Sequence, residues 1–88
     1  MESYKDTDVA LDIQNRTGKN VIIIRKVGSV YFNLFKEVSE IVGYIRSLNS
    51  SHILFSDNYM SMNLVGGKCI IEFINNVVYE EAKYYLQL

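Results

Sequence analysis

Proline and tryptophan are absent from the chain, and cysteine and histidine occur once each. Without proline nothing imposes a fixed backbone break, which fits regular elements joined by short turns. A lone cysteine, Cys69, cannot close an internal disulfide, so the fold must be held by its core and a reducing compartment is expected. With His52 as the only histidine, a tetrahedral zinc site would have to draw its remaining ligands from carboxylates. No metal and no cofactor are expected. A surplus of charge is also lacking, because nine Lys plus Arg stand against ten Asp plus Glu. No net field therefore draws in nucleic acid or an anionic membrane, and the single surplus negative charge is too small for acidic mimicry of nucleic acid. No run approaches the roughly 20 apolar residues that span a bilayer. Met1 to Asp12 carries Glu2, Asp6, Asp8 and Asp12 where an export signal would be basic and then apolar. The expectation is a cytoplasmic protein without a membrane partner.

What the chain does have is apolar surface. Of its 88 residues 49% are hydrophobic and 22% charged, a globular balance that suits one compact domain over residues 1–88. Val9, Leu11 and Ile13 alternate with Asp8, Ala10, Asp12 and Gln14, which predicts a half-buried strand over Asp8 to Gln14. Thr17-Gly18 supplies a turn into Val21-Ile22-Ile23-Ile24, a continuous β-branched run of the kind buried on both faces in the middle of a sheet. Gly28-Ser29 then leads to a third strand, Val30 to Leu34. From Leu34 the period lengthens, since Leu34, Val38, Ile41, Ile45 and Leu48 recur at helical spacing. This predicts an amphipathic helix capped by Asn33 and ended at Asn49-Ser50-Ser51.

Ile53 to Phe55 reads as a short strand, Asp57-Asn58 as a turn, and Tyr59 to Leu64 as a strand with Met60, Met62 and Leu64 on one face. Gly66-Gly67 predicts a tight hairpin returning through Cys69 to Ile74. Asn75-Asn76 either turns a further hairpin into Val77 to Tyr79, or lets Asn76 cap a helix from Val77 toward Leu86. Glu80, Glu81 and Lys83 favour the helix. The fold class is α+β: a mostly antiparallel sheet of about five or six strands, one central amphipathic helix and a C-terminal helix.

Catalytic chemistry finds little footing. His52 follows the central helix, with Ser50, Ser51 and Asp57 near it in sequence, but the spacing matches no hydrolase motif. Cys69 alternates with Ile71 and Phe73 and reads as a packed apolar side chain, with Lys68 alone to activate a thiolate. Asp6, Asp8 and Asp12 lack the glycine-bearing loop of a calcium site, and Gly66-Gly67-Lys68 lacks the long loop of a phosphate-binding motif. No enzymatic activity and no small-molecule substrate are expected.

Tyrosine is more informative, with seven in the chain. Each offers broad apolar contact and a polar tip at modest entropic cost. On a C-terminal helix, Val78, Ala82 and Tyr85 would face inward and Tyr84 outward. So small a domain buries only about two thirds of the surface its unfolded chain exposes, and apolar area is expected to remain for another chain. The reading is a nonenzymatic module that occludes a partner's surface through Tyr44, Tyr59, Tyr79, Tyr84 and Tyr85, such as a phage or mobile-element inhibitor or a toxin-immunity protein. A homodimer is compatible with it, since an unpaired strand edge permits sheet extension. The alternative is a regulatory or nucleic-acid-binding homodimer using Arg25, Lys26, Arg46 and Lys68, weakened by the balanced charge.

Overall fold

The computed structural model describes residues 5–88; of the acidic residues noted over Met1 to Asp12, Glu2 lies outside them. Eight elements follow in chain order: α1 (Asp6–Thr17), β1 (Asn20–Lys26), β2 (Ser29–Phe35), α2 (Val38–Ser47), β3 (Ile53–Phe55), β4 (Tyr59–Leu64), β5 (Gly67–Phe73) and α3 (Asn76–Leu86). The strands form one sheet in the order β2-β1-β5-β4-β3, antiparallel at every pairing. The α+β class stands, with a third helix in place of the first expected strand.

That first element is the main correction. Asp8 to Gln14 belongs to α1, because a second pattern in the same residues wins: Val9, Ala10 and Ile13 share a helical stripe, and Ala10 and Ile13 pack on Val21 and Ile23. Leu11, which the alternation would bury, is exposed. Local signals agree with the helix. The Asp8 carboxylate accepts the Lys5 N–H at 3.1 Å, and Asp6 and Asp8 sit in the first turn, where negative charge suits the helix dipole. The helix stops at Gly18, whose φ of 73° suits a residue without a Cβ and whose N–H donates to the Gln14 carbonyl at 2.8 Å.

β1 lies inside the sheet, hydrogen-bonded to β2 and β5, and Val21, Ile22, Ile23 and Ile24 are all buried. Alternation divides them. Ile22 and Ile24 join Met60, Met62, Cys69, Ile71 and Phe73 beneath α2 and α3, whose Ile41, Val42, Ile45, Tyr79 and Ala82 complete the larger core. Val21 and Ile23 face the other way, against α1, with Phe32 and Ile74 beside them. Both faces of this strand are thus covered, as its uninterrupted apolar run requires. No helix among the described residues is long and apolar enough to cross a membrane.

The remaining differences are shifts of boundary and phase. Leu34 is part of β2, opposite Val21, so α2 begins at Val38, and Glu40 Oε1 accepts the N–H groups of Lys36 and Glu37. Asn33 pairs with Ile22 and does not cap the helix. Leu64 pairs with Gly67, so the β4–β5 turn is Val65-Gly66, one residue earlier than expected. The C-terminal segment is helical, but Asn75 caps it, its Oδ1 accepting from Val77 and Val78 N–H at 2.9 and 3.2 Å. Its buried residues are Tyr79 and Ala82, with Val78 and Leu86 packed alongside, while Tyr85 lies exposed.

With α1 packed over it, Ile23→Ala should cost about 2–4 kcal/mol in urea unfolding, as for other deeply buried isoleucines. Leu54→Ala, on a sheet position that α1 leaves open, changes stability by less than about 0.5 kcal/mol.

Candidate protein-binding surfaces

α2 and α3 pack side by side over the larger core, and their outer surfaces enclose a groove of about 440 Å³. Val38, Val42 and the bare backbone of Gly43 line it, and Glu37, Arg46 and Glu81 supply charge. Arg46 bridges the two helices by donating to the Tyr85 carbonyl at 2.9 Å, which satisfies an acceptor at the end of α3. The rings of Tyr84 and Tyr85 meet edge to face with centroids 5.2 Å apart. They remain 60% and 43% exposed. Along α3, Val77, Glu81 and Tyr84 recur at helical spacing, forming an outer stripe opposite Tyr79 and Ala82.

The five expected contact tyrosines separate in the fold. Tyr85 lines the groove, and Tyr84 lies edge to face against it. Tyr44 is half-buried, its ring 5.7 Å from that of Phe35. Tyr59 is partly exposed on the opposite face of the sheet, where its register partner Glu72 lies. Tyr79 is fully buried, edge-on to Phe73 at 5.3 Å, and its hydroxyl donates to the Ser56 carbonyl. Its expected surface role is therefore overturned, because α3 is rotated so that Tyr79 points at the sheet.

The four cations of the nucleic-acid alternative are dispersed as well. Arg25 pairs with Glu72 and, at 3.2 Å, with Asp6, tying α1 to the sheet. Burial alone would lower its pKa, but hydrogen bonds and charge from Glu72 and Asp6 outweigh that and raise it. Lys26 lies 5.9 Å above the Tyr31 ring, on the opposite face from Arg25. Arg46 is committed to the helical layer, and Lys68 stands exposed on β5. The arrangement forms no continuous basic track, the feature that backbone phosphates require.

The polar groups singled out for chemistry are equally scattered. His52 is exposed before β3, whereas Asp57 follows its far end. Ser50 Oγ donates to the His52 carbonyl at 2.9 Å. Asp6 serves Arg25, Asp8 caps α1, and Asp12 pairs with Arg16 one turn along at 3.3 Å. Among the described residues no three His, Cys, Asp or Glu side chains gather where they could hold a metal ion. Cys69 is buried between β1 and β4 neighbours, and desolvation pushes its thiol above the ordinary value, against a smaller opposing effect of Lys26.

Sequence reasoning found the strand at Val30 to Leu34 but did not identify it, as β2, with the open edge of the sheet. The outer edge of β2 pairs with no strand among the described residues, yet none of Ser29–Phe35 is charged. The absence of charge over seven residues beside the central strand was the available signal.

No family model, no curated protein and no solved structure matches the chain.

The buried thiol makes a direct check possible. At about pH 8, Cys69 should resist an aromatic disulfide reagent in the folded chain and react promptly once the chain is denatured. Because the folded pKa is raised, its contribution to stability is complete below the unfolded thiol range. That contribution is lost as pH rises through and beyond it. Denaturation followed upward from about pH 8 should show a decline that is smaller in Cys69→Ala.

Proposed function

We propose that this protein is a nonenzymatic binding module that works by covering a partner protein's surface with the α2–α3 groove and the adjoining face of α3. The observation that carries the reading is the exposed Tyr84–Tyr85 pair beside an apolar groove, on a helix already buried along its other side. Tyrosines of this kind dominate binding energy at protein interfaces because they desolvate a large area with few rotors to fix. Glu37, Arg46 and Glu81 form a rim of both signs, suited to fixing orientation. A partner with a protruding apolar side chain flanked by charge fits this surface. Blocking such a surface needs no chemistry. This is the mode of action of an inhibitor encoded by a phage or mobile element, or of an immunity protein holding a toxin inactive in the cytoplasm.

In the test, the intact chain is immobilised and used to capture a stoichiometric partner from lysate of its own host. The Tyr84→Ala/Tyr85→Ala variant should lose at least about tenfold in affinity for that partner, as expected when two interface anchors are truncated. Both side chains lie outside the core, so its unfolding free energy should stay within about 1 kcal/mol of the parent. Equal capture by parent and variant would contradict the reading.

A further inference from the structure

The two ends of the sheet differ. β3 closes one end with only Ile53–Phe55, and a three-residue edge offers little to an incoming strand. β2 closes the other with seven residues, Ser29–Phe35, containing no charge and no proline. Those two devices ordinarily keep an edge from pairing. Val30, Tyr31 and Leu34 on this strand are 45%, 49% and 39% exposed.

We infer that β2 is the seam of a homodimer, in which two copies pair antiparallel about Phe32 and join their sheets into one. The backbone determines which groups are available. Lys26 pairs with Ser29 across the two-residue Val27-Gly28 turn, and the closing pair of such a hairpin is a hydrogen-bonded one. Alternation then directs the N–H and C=O groups of Ser29, Tyr31, Asn33 and Phe35 toward β1. Those of Val30, Phe32 and Leu34 point outward, with no backbone partner among the described residues.

These three outward residues are self-complementary. With Phe32 on the two-fold axis, Phe32 faces its own copy, and Val30 and Leu34 face each other twice. About six backbone hydrogen bonds form across the seam. The same three side chains lie on the α1 face, since they stand opposite Arg25, Ile23 and Val21. The row Ile23–Phe32 would run unbroken into Phe32–Ile23 of the second copy. On the other face Tyr31 meets Asn33, a ring and an amide able to share a hydrogen bond. Beyond the strand Lys36 falls opposite Gly28 and Glu37 opposite Val27, so no like charges oppose one another along the register.

A second copy is the occupant favoured by this symmetry, because an isologous contact requires each patch to match itself. At about 3.3 Å per residue the seam is roughly 23 Å long. That places it at the small end of specific interfaces and predicts dissociation in the micromolar range. A two-fold axis through an antiparallel strand pair stands normal to the sheet. Both α2–α3 layers would therefore lie on the same side of the joined sheet.

The test is the mass of the full chain by sedimentation and light scattering over about 1–500 µM, a range that brackets the expected affinity. The parent should pass from the mass of one chain toward two. Val30→Lys and Leu34→Pro should each raise the midpoint by at least about tenfold, with circular dichroism unchanged. Leu54→Lys, at the β3 edge, should leave the midpoint in place. The register is checked by mixing Tyr31→Cys with Asn33→Cys chains under oxidation. Opposed positions lie within disulfide reach, so the mixture should cross-link in higher yield than either variant alone. A single-chain mass throughout, a midpoint indifferent to Val30→Lys, or equal cross-linking in all three samples would overturn the inference.

Discussion

Everything in this molecule is arranged around the four consecutive apolar residues of β1, Val21 to Ile24. A strand alternates its side chains, so such a run cannot be sheltered from one side. It needs a neighbour along each edge and a layer over each face. β2 and β5 take the edges, α2 and α3 cover Ile22 and Ile24, and α1 covers Val21 and Ile23. Arg25 fastens α1 at its beginning through Asp6, using Glu72 of the adjoining strand as the second carboxylate. With the three helices of the described residues used in this way, no strand among those residues covers the outer edge of β2. The outer side of α3 also faces solvent.

How much of this could be read in advance depended on whether a residue's pattern was claimed by one element or two. Val21–Ile24, Met60–Met62 and Cys69–Phe73 have no competing helical reading, and their burial and pairing follow from alternation. Val9–Ala10–Leu11–Asp12–Ile13 satisfies both periods at once. What decides between them is tertiary: Ala10 is small enough to let a helix approach Val21 and Ile23, a fact invisible until the sheet exists. Leu34 shows the same conflict in reverse. It keeps helical spacing to Val38, but cross-strand pairing with Val21 holds it in β2. For α3 the cap is Asn75 rather than Asn76, and a turn of roughly 50° in the buried face, with Val78 and Ala82 kept on it, was enough to exchange Tyr85 for Tyr79 in the core.

The candidate surfaces were legible only in part for the same reason. Composition raised the expectation of a tyrosine contact surface, but which tyrosines remain exposed depends on helix phase, and of the five Tyr85 lines the groove with Tyr84 against it. Counting charges anticipated that no strong basic field would arise. It did not anticipate that Arg25 would be consumed in holding α1, or that Lys26 would lie over Tyr31. The bare edge of β2 is a property of sheet order, and sheet order emerges from which strands flank β1 rather than from any local motif.

In the proposed dimer the outward backbone groups of the β2 edge are satisfied by a second chain. Amide hydrogen exchange, read residue by residue in dilute and concentrated solution, tests this pairing most directly. Tyr31 and Asn33, bonded to β1, should be protected at every concentration. Val30, Phe32 and Leu34 should exchange freely when dilute and become protected as the protein is concentrated. Equal protection of all five at high dilution, or free exchange of the outer three at every concentration, would contradict it.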